Sequence, residues 1–154
     1  MGRSAQAEPP LPLVRPATAE DRFGLAELLD LLGYPCSAEE AAERVLTLRE
    51  DPNQSLLVAD VKGVVVGLVA CDLSYYLPLG ALTCRITALA VAGQAKRQGI
   101  GRLLLREAEA LAREAGAVRV ELTSATQRTD AHAFYAACGY TEGALRFVKR
   151  LGGA

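Results

Sequence analysis

Thr87-Ala88-Leu89-Ala90-Val91, a short loop, and then Lys96-Arg97-Gln98-Gly99-Ile100-Gly101-Arg102 decide how this chain is read. The first run belongs to an apolar stretch, Leu82 to Val91, with little polar alternation, the pattern of a strand buried on both faces at the centre of a sheet. The second is a glycine-punctuated turn whose amides become the N-terminus of a helix. The first N–H groups of a helix have no partner within it, and the helix dipole adds about half a positive charge there, which suits phosphate or pyrophosphate. Gly99 and Gly101 let the backbone approach such an anion without Cβ atoms in the way, and Lys96, Arg97 and Arg102 bring positive charge to the same spot. Two common phosphate binders are excluded. A Rossmann fingerprint needs a small residue where Leu104 stands, and the GxxxxGK-Ser/Thr run of a P-loop does not occur. On the turn alone, a tight strand-to-helix connection with no ligand is the alternative.

Working outward, the periodicity predicts an edge strand over 11–15 stopped by Pro16, then a helix from Thr18 to Leu32 with Phe23, Leu25, Leu28, Leu29 and Leu32 at helical spacing. Ser37 with Glu40 is a capping box opening a second helix that ends before Asp51. Strands over 55–60 and 64–73 flank Val61-Lys62-Gly63 as a hairpin, and residues 75–80 read as a loop. A helix over 101–115 should bury Leu103, Leu104, Ala108 and Leu111 and close at Gly116. A strand over 118–123, a short helix from Thr129 to Gly139, a minor strand around Tyr140 and a last strand over 146–151 complete a mixed α/β layer.

Composition narrows the function. The 154 residues suit one domain, expected over 11–154 behind a disordered 1–10, and 51% hydrophobic with 23% charged residues is an ordinary globular balance. Seventeen basic against eighteen acidic side chains leave a formal charge of −1, so no global positive field exists to hold a nucleic acid. No apolar run approaches the ~18 residues of a membrane span, and residues 1–10 lack a signal-like core, which points to the cytoplasm. Cys36, Cys71, Cys84 and Cys138 are widely spaced and His132 is the one histidine, so neither a metal site nor a disulfide framework is expected. The cysteines read as small buried hydrophobes in a reducing compartment.

Lys96 to Gly101 resembles the Gln/Arg-x-x-Gly-x-Gly/Ala signature of the GNAT superfamily, the acyl-CoA-dependent N-acetyltransferases. Lys96 stands where the family usually has Gln or Arg, which keeps the charge of Arg but loses its planar fork. Ile86 to Val91 resembles the family's central strand, and Ala133-Phe134-Tyr135 through Gly139-Tyr140 its later "A-x-FY…GY/F" segment. Leu122-Thr123-Ser124, Arg128, residues 131–135 and Phe147-Val148-Lys149 also resemble a subgroup that includes aminoalkylphosphonate N-acetyltransferases. The resemblance implies a GNAT-like, mostly antiparallel sheet with a splayed central strand pair and about four helices. It implies acetyl-CoA as co-substrate, bound by Leu89, Ala90 and Val91 along the pantetheine and by Lys96, Arg97, Gln98, Gly99, Ile100, Gly101 and Arg102 at the pyrophosphate, with Arg128 as a further contact. Tyr135 matches the family's tyrosine facing the CoA sulfur, where a phenol can protonate the leaving thiolate.

The implied reaction is direct attack of a small molecule's primary amine in a ternary complex. The alternatives are a non-catalytic acyl-CoA-binding regulatory module, or acetylation of a protein lysine or N-terminus. Some members place a carboxylate base on the central strand, but that position is Arg85 here, which leaves Glu121, Asp72 and His132 as candidate bases, or water. Arg85 could instead attract an acceptor with an acidic group, unless it only pairs with Glu121. The family often dimerises, and the strand expected over 146–151 offers an edge for a homodimer.

Overall fold

The computed structural model describes residues 11–96, 98–123 and 129–152. It divides into a unit ending at Glu121 and a unit beginning at Leu122.

The first unit grows from a hairpin. Lys62 and Gly63 both have positive φ (50° and 84°), and the Gly63 N–H donates to Asp60 Oδ1 at 2.6 Å, so the chain reverses between β2 (Gln54–Val61) and β3 (Val64–Tyr76) as expected. The third strand runs longer than its sequence suggested. Tyr75 and Tyr76 pair with Leu82 and Ala81 of β4 (Ala81–Val91), so the expected loop shrinks to a 3-10 turn over Leu77–Leu79. Aromatic residues favour a pleated surface, and Pro78 falls only in the turn, where its missing donor costs nothing. Edge strand β1 (Leu13–Pro16) pairs antiparallel with β2, and the sheet order is β1-β2-β3-β4-β5, with β5 at Val120–Leu122. Val118 N–H donates to the Leu82 carbonyl and Cys84 N–H to the Arg119 carbonyl. Both numbers rise together, so this connection through a helix is parallel whereas the other pairings are antiparallel.

Helices cover both faces. After a 3-10 turn at Ala19–Asp21, α1 (Arg22–Leu31) and α2 (Ala38–Arg49) bury Leu25, Leu28, Ala41 and Val45 with Val58, Leu68 and Ala90 of the sheet. The Ser37–Glu40 capping box forms, its two hydrogen bonds at 2.9 and 3.0 Å. Phe23, expected on the buried face, is 71% exposed because the face turned to the sheet is that of Leu25 and Leu28. On the opposite face lies α3 (Ile100–Glu114), whose buried stripe is Ile100, Leu104, Leu105, Ala108 and Ala112, rotated from the stripe expected through Leu103 and Leu111. The helix ends at Gly116 (φ 88°). Its N–H reaches the Arg113 carbonyl, and the Ala117 N–H reaches that of Ala112, a Schellman motif.

The fourth strand is not the doubly buried centre its composition suggested. The middle position belongs to β3, and on β4 Arg85 and Thr87 are exposed, since the core under α1 and α2 reaches Ala88 and Ala90 but stops before Arg85. Cys71 and Cys84 are buried on adjacent strands, Cys36 and Cys138 are half-buried, and all four are free.

In the second unit, α4 (Thr129–Ala137) closes at Gly139 (φ 95°), again with a Schellman pair: Gly139 N–H to Ala136 and Tyr140 N–H to Tyr135, both 3.0 Å. No strand forms around Tyr140 or over 146–151 among the described residues, contrary to expectation. Tyr140 is consumed by the helix cap. In the later segment the apolar residues Phe147 and Val148 are adjacent and Leu151 follows three on, which breaks the two-residue period that a half-buried strand needs.

Candidate functional site

The end of β4 is shaped by a bulge. Ala70 faces Ala88 while Cys71 faces Ile86, so Thr87 is an extra residue opposite nothing, its hydroxyl 3.4 Å from the Ala70 carbonyl. Beyond the bulge, Ala92 N–H donates to the Val66 carbonyl at 2.8 Å. Hydrogen-bonding direction alternates along an antiparallel strand, so Ala90 and Ala88 also point their backbone groups at β3, whereas Leu89 and Val91 point theirs to the opposite edge. That edge is the one an extended ligand could line as an added strand.

From Val91 the chain passes through a 3-10 turn, Gly93–Ala95, into the glycine turn. Gly99 has φ +79° and is the N-cap of α3, with no side-chain cap bond. A capping Ser, Thr or Asp would put its own oxygen on the first-turn amides; glycine leaves them to an external acceptor. Lys96, Gln98, Gly99 and Arg102 are exposed, Ile100 is buried as the anchor, and Gly101 lies in the first helical turn. The anchor depends on β3. A Cβ on Gly67 would come within 2.9 Å of Leu104 Cδ1 and 3.2 Å of both Ile100 Cγ2 and the Ala90 carbonyl oxygen, so glycine there lets the start of α3 sit directly on the sheet beside the end of β4. Sequence reading passed over Gly67, although an isolated glycine within a strand signals a close approach.

A second group lies on the sheet face that carries α1 and α2. Arg85 pairs in register with Asp72, and its Nε lies 3.4 Å from Glu121 Oε1. The other carboxylate oxygen of Glu121 is 3.4 Å from Arg119 Nη2, and the Arg119 guanidinium stacks over the Tyr76 ring at 4.8 Å. The Arg85–Glu121 pairing that the sequence left open is therefore formed, on the surface. Arg119 and Tyr76 are not singled out by the sequence, although Arg119 and Glu121, at i and i+2 in the strand expected over 118–123, would share a face.

On α4, Tyr135 and His132 are both half-buried. The Tyr135 ring meets Phe134 at 5.4 Å and Tyr140 at 6.2 Å, both edge-on. Tyr140 follows the cap glycine and packs back on the residue whose carbonyl it bonds, so Gly139-Tyr140 fixes the ring of Tyr135. Arg97 and Arg128 lie outside the described residues. Among the described residues no cluster of His, Cys, Asp and Glu could hold a metal ion, and no helix is long and apolar enough to cross a membrane.

Comparison with known proteins identifies this arrangement. Residues 24–140 match the Acetyltransferase (GNAT) family. An aminoalkylphosphonate N-acetyltransferase from Salmonella typhimurium is 35% identical over 143 residues, 90% of each chain. Among solved structures, a transcriptional regulator from Bacillus halodurans C-125 superposes with a TM-score of 0.83 at 26% identity, covering 91% of this chain and 99% of that one. A GNAT family acetyltransferase from Staphylococcus aureus gives 0.79 at 21% identity, covering 92% and 99%. With the glycine turn, the bulged strand and the α4 motif in the family's order on a matching fold, this chain belongs to the GNAT family and is an acetyl-CoA-dependent N-acetyltransferase.

Proposed function

We propose that the enzyme transfers the acetyl group of acetyl-CoA to the primary amine of a small molecule by direct attack in a ternary complex, with residues 11–154 acting as one catalytic domain. The observation that carries the reading is the uncapped start of α3 behind Gly99, reached directly from a strand end whose Leu89 and Val91 backbone groups turn away from β3. In this reading Leu89, Ala90 and Val91 line the pantetheine, and Lys96 to Arg102 hold the pyrophosphate through amides and positive charge. Arg128 adds a further contact. A backbone N–H at the bulged strand end receives the carbonyl oxygen as negative charge develops on it.

The amine nitrogen bonds to the acetyl carbon as the carbon–sulfur bond breaks. The nitrogen gives up a proton to water or to one of Glu121, Asp72 and His132, and Tyr135 donates its phenolic proton to the departing thiolate. A small amine is favoured over a protein by the relative of known activity, an aminoalkylphosphonate N-acetyltransferase. The enzyme works in the cytoplasm in this reading. It also forms a homodimer through the segment carrying Leu145, Phe147, Val148 and Leu151, which are 71–89% exposed.

The test is release of CoA thiol from acetyl-CoA in the presence of a panel of small amines. Turnover is expected with at least one of them, and Tyr135→Phe should lower it by roughly 100-fold while CoA affinity is kept. Full activity in Tyr135→Phe would make that tyrosine structural. CoA binding without thiol release to any amine would instead favour a regulatory module.

A further inference from the structure

The group around Glu121 has a geometry that an ordinary surface ion pair does not require. One carboxylate oxygen faces Arg85 and the other faces Arg119, both at 3.4 Å, so a single anion spans two guanidinium groups. An external carboxylate or phosphonate would bridge the same pair in the same way, one oxygen to each arginine. We propose that Arg85 and Arg119 form the subsite for the acidic group of the amine acceptor, and that Glu121 is an internal stand-in which that group displaces. The proposal rests on the reading of the chain as a small-amine acetyltransferase and names the acceptor class: amines that also bear a phosphonate or carboxylate.

Four observations support it. The contacts are long and open to water, with side-chain exposures of 56% for Arg85, 44% for Arg119 and 38% for Glu121, so the internal anion is weakly held and easily exchanged. Arg85 approaches Glu121 through Nε, the inner nitrogen of its fork, at 3.4 Å, so the pair is not the bidentate clamp of two terminal amino groups. The guanidinium carbon of Arg119 lies over the Tyr76 ring, 4.8 Å from its centroid, a cation–π contact that favours this placement of the side chain before any ligand arrives. Finally, Asp72 sits opposite Arg85 in register, so two arginines and two carboxylates cancel while Glu121 is in place, and its withdrawal leaves one positive charge for the incoming anion. The patch lies on the same sheet face as Ala88 and Ala90 and leads along β4 to the bulge and to Leu89.

The test compares 2-aminoethylphosphonate with ethylamine as acceptors in the intact enzyme, and follows methylphosphonate binding by phosphorus NMR. Arg119→Met should raise the KM for the phosphonate acceptor by roughly tenfold or more, leave its kcat unchanged, leave ethylamine unaffected and weaken methylphosphonate binding in parallel. Glu121→Gln is the sharper variant. Removing the internal competitor should lower the phosphonate KM severalfold, whereas a merely structural pair, or a general base, would raise it or reduce kcat. Equal effects of Arg119→Met on both amines, or a raised KM in Glu121→Gln, would overturn the subsite. Methylphosphonate binding that depends on Arg119 in a protein that acetylates neither amine would keep the subsite and reject the acetyl-transfer reading. Acetylation of ethylamine and the phosphonate alike, insensitive to Arg119, would do the reverse.

Discussion

Asp21 shows how much one residue can hold in place. Its carboxylate accepts two hydrogen bonds from Arg15, both 2.9 Å, and one from the Thr18 N–H at 2.8 Å, joining β1 to the start of α1. Arg15 also reaches Asp60 on β2 at 3.1 Å. The Arg15 hydrogen bonds hold the Asp21 carboxyl below its usual range, against the opposing effect of burial and with help from the Thr18 amide. A carboxyl whose pKa is lower folded than unfolded stabilises the protein fully above the unfolded value, near 4, and loses that contribution as pH falls through the folded one. Asp21→Asn should therefore cost about 2 kcal/mol near pH 7, and the gap to the parent enzyme should close as urea melts are repeated down to about pH 3. A gap that stays constant over that range would mean that the side chain acts by packing rather than by charge.

At the scale of elements, the placement of α3 joins fold to site. Its N-terminus offers amides because Gly99 caps nothing, and it lies beside the end of β4 because Gly67 leaves room for Ile100 and Leu104. Gly67→Val should force the start of α3 off the sheet, costing about 1–3 kcal/mol of stability, and should weaken CoA binding at least tenfold although residue 67 touches no ligand in the proposed arrangement. Calorimetric titration with CoA on the folded variant checks this, and unchanged affinity would show that α3 tolerates the shift. The neighbouring strands carry Cys71 and Cys84. The hydrogen bond between them pushes the Cys71 thiol above its ordinary range and holds the Cys84 thiol below its own. Both are buried whereas Cys36 and Cys138 are half-buried, so native-state thiol labelling should reach Cys36 and Cys138 well before this pair.

For the whole molecule, the second unit bears on assembly through its exposed apolar side chains. Leu145, Phe147, Val148 and Leu151 are each exposed in a segment without regular structure, where apolar side chains close in sequence stand open to water. In the proposed homodimer this segment meets a second copy. Sedimentation equilibrium should then give a dimer, and Phe147→Glu with Val148→Glu should shift it to monomer while thiol release by the monomer remains measurable. A parent protein that stays monomeric at high concentration would remove the dimer.

The sequence by itself determined the elements whose signals are local. The Ser37–Glu40 box, the Lys62-Gly63 reversal and the two cap glycines, Gly116 and Gly139, each act within a few residues, so their spacing is enough to place them. The glycine turn was legible for the same reason, since a strand end, a φ-permissive residue and a helix start are contiguous in the chain. What only the tertiary structure decided depends on partners far apart in sequence. How closely Ile100 and Leu104 of α3 approach the sheet depends on Gly67, the burial of β4 follows from where α1 and α2 stop, and the absence of a strand over 146–151 among the described residues goes with a broken alternation. The bridge of Glu121 between Arg85 and Arg119, with Tyr76 beneath, joins three strands, and only strand order and the Thr87 bulge bring its members to one face. Periodicity can say that a side chain leaves a strand on a given side; which neighbour it meets there is fixed by register, a property of two strands at once.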